Sequence, residues 1–293
     1  MLATTIELPD GRQLCFDDVG DPAGSPVLYV HGTPDSRRAR HPDDGVNERA
    51  GVRLIAVDRP GAGGSTAHPD GTVGTFADDV AFLARHLEIG RWAVLGWSAG
   101  AVHALAVAAR HPALVSTVGI VAGLPPVAAY ETADILLDAS DDRRAVAEIA
   151  ATMAPDEVGA LLGPLVAPFP CDLDLAREHV LEGADAVRRA ELDSVPGALD
   201  AMAAGVVDAV AQGLGGLEHD IALQVSPPDV ELGDVVCPVQ LWYGTLDRAA
   251  PPAFGHWFAA HLPDATLEVL DGAGHCFVLP RWGDVLGALV TPR

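Results

Sequence analysis

The 293-residue chain contains no lysine; all 18 of its basic side chains are arginine. That excludes a P-loop, a pyridoxal-phosphate Schiff base and the amine-dependent aldolases, because each needs an amine or ammonium at the reacting centre. Asparagine occurs once, at Asn47, which leaves a Cys-His-Asn triad little material. Basic charge is scarce: 41 acids against 18 arginines give a formal charge of −23. Such a surplus repels phosphate backbones and anionic lipid, so neither nucleic acid nor a membrane surface is expected as a partner. The four cysteines, Cys15, Cys171, Cys237 and Cys276, show no CxxC and no zinc-ligand spacing, so neither disulfides nor a metal site is expected. No apolar run reaches the roughly 18 residues of a membrane helix. Met1 to Asp10 lacks the basic region and apolar stretch of a secretory leader. The expectation is a cytoplasmic monomer or homodimer whose partner is a small-molecule substrate.

Apolar residues make up 49% of the chain, enough to bury a substantial core. The first third alternates strand and helix signals. Thr4–Leu8 and Gln13–Val19 read as a hairpin turned by Pro9-Asp10-Gly11. Val27–Val30, Arg53–Val57, Trp92–Leu95 and Val115–Val121 are short apolar runs, as buried parallel strands should be. Thr75–Leu87 and Ala99–Arg110 carry helical stripes. After Leu124-Pro125-Pro126 the rhythm breaks. Thr132–Ala139, Asp142–Met153, Leu173–Arg189 and Ala198–Gln212 read as helices, and no strand signal appears for about a hundred residues. Residues 125–235 also hold 22 of the 41 acids and only five arginines, a solvated surface of its own character. Strand signals return at Val236–Tyr243 and Thr266–Leu270, with helices at Ala253–His261 and Trp282–Val290. The pattern predicts an α/β fold with a mostly parallel central sheet flanked by helices. Residues 1–124 and 235–293 form its core, and 125–234 an inserted helical lid.

The polar motifs fall directly after predicted strands, where such folds collect their ligands. Gly96-Trp97-Ser98-Ala99-Gly100 is a G-x-S-x-G pattern between strand and helix. A sharp turn there lifts the serine hydroxyl into the open, and small residues two before and two after let the backbones approach. Serine is a weak nucleophile without a base, and a base needs an acid to fix its tautomer. His275 follows the last strand in Gly272-Ala273-Gly274-His275, and Asp247 follows the strand before it in Gly244-Thr245-Leu246-Asp247. The chain order Ser98, Asp247, His275 is nucleophile, acid, base. The Ala99 amide opens the helix after the serine, and the Thr33 amide, in Val30-His31-Gly32-Thr33-Pro34, supplies a second oxyanion donor. Pro34 has no N–H to give. Trp97 either packs behind the turn or lines the acyl pocket. His31 is a structural hydrogen-bonder and a second candidate for the pocket lining.

Together His31-Gly32-Thr33-Pro34, Asp58-Arg59-Pro60-Gly61-Ala62-Gly63-Gly64-Ser65, Gly96–Gly100, Gly244–Asp247 and Gly274-His275 resemble the α/β-hydrolase superfamily over nearly the whole chain. The capped middle is similar to the esterase, proline iminopeptidase and cofactor-free haloperoxidase branches. In those relatives the Asp58–Ser65 stretch shapes a turn beside the site, so Asp58 and Arg59 receive no catalytic role. The chain departs from iminopeptidases, which carry GGPG where Gly32-Thr33-Pro34-Asp35 stands. It departs from ring-cleavage hydrolases, which have Asn where Trp97 stands, and from epoxide hydrolases and haloalkane dehalogenases, which use Asp in place of Ser98.

The resemblance and the residues together imply a serine hydrolase that cleaves a small to medium carboxylic ester, thioester or lactone through an acyl-enzyme, with no cofactor. Two alternatives stand beside it. One is an iminopeptidase-like aminopeptidase whose acidic lid binds a substrate ammonium; the other is a ligand-binding protein that keeps the fold without catalysis.

Overall fold

The computed structural model describes residues 3–127, 141–166 and 172–291. Eight strands form one sheet: β1 (Thr4–Glu7), β2 (Gln13–Gly20), β3 (Ser25–Val30), β4 (Val52–Val57), β5 (Trp92–Trp97), β6 (Val115–Val121), β7 (Val239–Gly244) and β8 (Ala265–Leu270). Their spatial order is β1-β2-β4-β3-β5-β6-β7-β8. β1 and β2 pair antiparallel, β2 joins β4 antiparallel, and the remaining pairs are parallel. The β3 residues Val27–Val30 are wholly buried, as covering a parallel sheet on both faces requires.

Helices α1 (Gly45–Arg49), α2 (Val73–His86) and α3 (Gly100–Arg110) lie within the first half of the chain. A capping box starts α2: Thr72 Oγ1 accepts from the Thr75 amide at 3.1 Å, and Thr75 Oγ1 accepts from the Thr72 amide at 2.8 Å. The single asparagine has a structural task. Asn47, buried in α1, accepts the indole N–H of Trp282 at 2.9 Å, and that indole stands edge-on to Tyr29 of β3. Trp282 opens the last helix, so one side-chain pair fixes α1 and that helix to the centre of the sheet.

Between β6 and β7 the described residues form six helices: α4 (Asp141–Ala150), α5 (Pro155–Val166), α6 (Leu173–Leu181), α7 (Ala186–Asp193), α8 (Ala198–Ala209) and α9 (Gly215–Val225). The chain ends with α10 (Pro252–His261) and α11 (Trp282–Val290). The sequence reading differs at one helix here. The single helix expected over Leu173–Arg189 is two, because Gly183 takes a left-handed φ of 67° and no helix continues through it. In α5, Pro155 occupies the first position, where its missing N–H costs nothing. Helix α9 begins on Gly215-Gly216. The expected helix over Thr132–Ala139 lies outside the described residues, as do Cys171 and Phe169.

The insertion has a satellite core of Val158, Val210, Leu217 and Ile221, with Met153 packed against it; Met202 joins the main core. It is seated on the turn Asp58–Ser65. A Cβ on Gly216 would lie 2.6 Å from the Gly61 carbonyl oxygen, and one on Gly61 would lie 2.6 Å from Gly216 Cα. Only two glycines allow this approach. Gln212 donates to the carbonyls of Gly63 and Ser65 at 2.9 and 2.8 Å, and the Gly63 amide donates to the Asp208 carbonyl. Among the described residues no helix is long and apolar enough to cross a membrane.

Asp58 holds that seat in shape. Its fully buried carboxylate accepts from the Arg37 amide at 2.9 Å, the Arg37 guanidinium at 2.6 Å and the Gly64 amide at 2.9 Å. Replacing one member of a buried pair strands the other, at a cost of about 3 kcal/mol. Asp58→Asn is therefore expected to lower unfolding free energy in urea by about that amount. A change below about 1 kcal/mol would show that the turn does not depend on this ion pair.

Candidate active site

Strand β5 ends in a tight turn into α3. Ser98 sits at φ 54°, a conformation that side-chain-bearing residues rarely adopt. Its neighbours explain how it is held. A Cβ on Gly96 would meet the Gly100 carbonyl oxygen and the Ala104 methyl at 2.8 Å, and one on Gly100 would lie 2.3 Å from the Val30 carbonyl oxygen. The Ser98 amide donates to the Val121 carbonyl at 2.9 Å, and its own carbonyl accepts from Ala101 and Leu124. The side chain is thus lifted off the end of the sheet at the start of α3, with 8% of the residue exposed.

Two further strand ends converge on it. After β7, Asp247 Oδ1 accepts the amides of Ala249 and Ala250, both at 2.9 Å. Those bonds fix the carboxylate and leave Oδ2 for His275 Nδ1, 2.7 Å away. On the other side of the ring, His275 Nε2 is 3.2 Å from Ser98 Oγ. The carboxylate needs a donor, so the proton belongs on Nδ1, and the Nε2 lone pair faces the hydroxyl. The Asp247 side chain has no exposure, whereas His275 keeps 20%; the cleft opens at the imidazole.

The loop that carries His275 is clamped from two sides. Trp97 Nε1 donates to the His275 carbonyl at 3.2 Å, so Trp97 packs behind the turn, where it is 2% exposed. From α7, Glu191 accepts the amides of Gly274 and Cys276 at 2.6 and 2.9 Å. Burial raises the Glu191 pKa, and those two amides oppose the rise. Burial also pushes the Cys276 thiol up to about 12, so it is no competing nucleophile.

The third convergent segment follows β3. His31 is buried; its Nδ1 bonds the Gly32 carbonyl at 2.8 Å and its Nε2 accepts the Arg59 amide at 3.1 Å. It is a neutral structural bridge, and burial drives its pKa well below the ordinary value. It also borders a space of about 20 Å³ with Asp35, Arg59 and Asp220, roughly room for one water. Arg59 reaches beyond the turn it was assigned to. It is 3% exposed, donates to the Gly32 carbonyl at 2.6 Å and Thr33 Oγ1 at 2.8 Å, and pairs with Asp220 of α9. Thr33 Oγ1 also donates to Asp220 and accepts from Gln224. Core and insertion therefore grip the Gly32–Thr33 segment together. Neither the Thr33 nor the Ala99 amide donates to another described residue.

Asp35 was not singled out in the sequence. A Cβ on Gly32 would lie 3.2 Å from both Ser98 Cβ and Asp35 Oδ2, so that carboxyl and the serine border the same space beside Gly32. Burial raises its pKa to about 7, against the pull of Arg59 and Arg188. Its place directly after His31–Pro34 was the available signal. Glu191 and Asp220 had none, lying in helices far along the chain. His103 is buried edge-on against Phe76, 5.3 Å between centroids, and does not touch the serine.

Comparison with known proteins follows the geometry. Residues 25–281 match the alpha/beta hydrolase fold family, and the chain belongs to it. A pimeloyl-[acyl-carrier protein] methyl ester esterase from Chromobacterium violaceum is 30% identical over 83% of this chain and 85% of its own length. A proline iminopeptidase from Xylella fastidiosa is 38% identical, over 35% of this chain and 34% of its own; the match thus spans about a third of that relative. Among solved structures, an esterase from Thermogutta terrifontis superposes with a TM-score of 0.67 at 21% identity, covering 98% of this chain and 96% of that one. A bromoperoxidase from Bacillus anthracis gives 0.68 at 19%, covering 99% and 98%. At such identities the superpositions speak for the fold alone.

The two buried imidazoles carry a prediction for stability. Burial lowers the His103 pKa from 6.5 to about 3, so between these values the unfolded chain binds a proton that the folded chain refuses. Stability is complete above pH 6.5 and falls as pH drops, by up to ~1.4 kcal/mol per pH unit for this group. His103→Leu should flatten the slope of unfolding free energy against pH between 6 and 4, measured in urea. A slope unchanged from the wild type would contradict the buried, neutral state of His103.

Proposed function

We propose that the chain is a serine hydrolase that cleaves small to medium carboxylic esters, thioesters or lactones through an acyl-enzyme. The observation that carries this is His275, which bridges a fixed buried carboxylate and the Ser98 hydroxyl at 2.7 and 3.2 Å. Ser98 Oγ attacks the carbonyl carbon as its proton passes to His275 Nε2. Asp247 stabilises the resulting imidazolium and keeps the ring oriented. The carbonyl oxygen takes up negative charge between the Thr33 and Ala99 amides, where the N-terminus of α3 adds its dipole. His275 then returns the proton to the leaving alkoxide. Water repeats the sequence on the acyl-enzyme, losing a proton to His275 and releasing the acid and free Ser98. Arg59 acts on the oxyanion segment through its bonds to Gly32 and Thr33, not on the substrate.

The methyl ester esterase relative, matched over most of both chains, favours ester over amide. The rival is an aminopeptidase, favoured by the iminopeptidase relatives and by Asp35, which forms no ion pair with a described residue, as a site for an ammonium group. Hydrolysis of nitrophenyl esters should exceed that of prolyl-naphthylamide by kcat/KM; the reverse order selects the aminopeptidase. A fluorophosphonate should label Ser98, and an unlabelled serine would favour a binding protein that has the fold without the chemistry.

Asp247→Asn keeps the shape but favours the wrong tautomer and removes the counter-charge. The same change costs about 10⁴ in kcat in serine proteases, and a loss of about 10³–10⁴ is expected here. Across esters of rising acyl length KM should change while the fractional loss in kcat stays constant, because Asp247 serves the transition state. Retention of most activity in Asp247→Asn would refute the assignment of the acid.

A further inference from the structure

Helix α7 lies across the loop that bears His275. Glu191 holds the amides on either side of that histidine, and a Cβ on Gly274 would lie 3.0 Å from Val187 Cγ1. Arg188, one helical turn before Glu191, shares its face. Its guanidinium lies beside the Cys276 thiol and within the field of Asp35, whose carboxyl borders, with Ser98, the space beside Gly32. Arg188 thus stands on the face of α7 that packs over the His275 loop.

What distinguishes this arginine is the lack of a counter-ion among the described residues: its neighbour is the neutral Cys276 thiol. Elsewhere in the insertion Arg144 pairs with Asp141, Arg177 pairs with Asp174 and Asp200, and Arg189 donates to the carbonyls of Ala184 and Leu181. Arg188 Nε is buried with no hydrogen-bond partner, and no carboxylate of a described residue forms an ion pair with the guanidinium. The segment around it holds 22 acids, so a free cation there is not for want of counter-ions. A partly buried guanidinium with an unbonded Nε–H and no counter-ion is costly until an anion meets it, and a carboxylate fits its planar fork with two parallel bonds.

We propose that Arg188 is the counter-ion for a substrate carboxylate, so that the chain acts on esters that also carry a free acid group. This rests on the ester-hydrolase reading above and adds the charge of the substrate to it. Asp35 opposes it only in part: with its pKa near 7 about half of the carboxyl is protonated at pH 7, and that form donates a hydrogen bond. The surplus of negative charge on the protein repels anions generally, so selectivity for one falls to the local cation.

The test uses two pairs of esters matched in shape and differing in charge: monoethyl glutarate against ethyl pentanoate, and acetoxyacetate against ethyl acetate. They place the acid on the acyl and the alcohol side respectively. The ratio of kcat/KM, charged over neutral, is taken on one enzyme sample by proton release, so that folded fraction and serine reactivity cancel. For at least one pair, Arg188→Gln should lower the ratio about tenfold to a hundredfold, and Arg188→Lys should recover part of it. A ratio indifferent to Arg188→Gln in both pairs overturns the proposal and leaves the esterase reading intact. If no ester is turned over, the esterase reading itself fails. Calorimetric binding of glutarate to Ser98→Ala protein then decides: Arg188→Gln must weaken it about tenfold or more, and binding that is absent or indifferent to Arg188 overturns the proposal.

Discussion

Ser98 holds a left-handed backbone conformation because two places beside it admit no side chain. Gly100 runs so close to the Val30 carbonyl that a methyl group would overlap it, and Gly96 is pressed against Gly100 and Ala104. These contacts bind the end of β5 to the end of β3 and the start of α3. The strain of the turn is therefore borne by the centre of the sheet, its most buried part. What this yields is one hydroxyl held out of the sheet plane with the first amides of a helix behind it.

The other groups reach that hydroxyl because the sheet order brings their strands alongside. β3 is the neighbour of β5 on one side; β6, β7 and β8 follow on the other. Each strand end then needs only a short loop to deliver Thr33, Asp247 or His275. The insertion completes the arrangement from above. It contributes Asp220 to the Arg59–Thr33 cluster and Glu191 to the His275 loop, and it sits on the turn that Asp58 shapes. Displacement of the insertion would thus be felt in the orientation of both the oxyanion segment and the histidine. The proposed chemistry depends on the seating of the insertion as well as on three residues of the core.

The parts legible in the sequence are those whose cause is local. G-x-S-x-G is readable because the steric demand of the turn falls on positions 96 and 100 themselves. Asp247 and His275 are readable because each follows an apolar run by a few residues. Arg59 was read through its neighbours in the turn, yet its guanidinium acts on Gly32 and Asp220, distant in sequence and adjacent only after folding. Arg188 lies at the end of the stretch read as one helix, Leu173–Arg189, and Glu191 just beyond it; the break at Gly183 re-aims α7 over the His275 loop, and no local pattern carries that direction. No helix was read over Gly215–Val225, because nothing local shows that the close contact of Gly216 with Gly61 seats α9 against the core.

The central claim is that Ser98 becomes covalently acylated during turnover. Rapid acid quenching of the protein mixed with an excess of a nitrophenyl ester, followed by peptide mass analysis, examines this directly. The peptide containing Ser98 should gain the mass of the acyl group within the first turnover, hold it while substrate lasts, and lose it as the substrate is exhausted. Sustained product formation with no acyl mass on Ser98 at any time would contradict the claim, because water would then be attacking the ester without the serine.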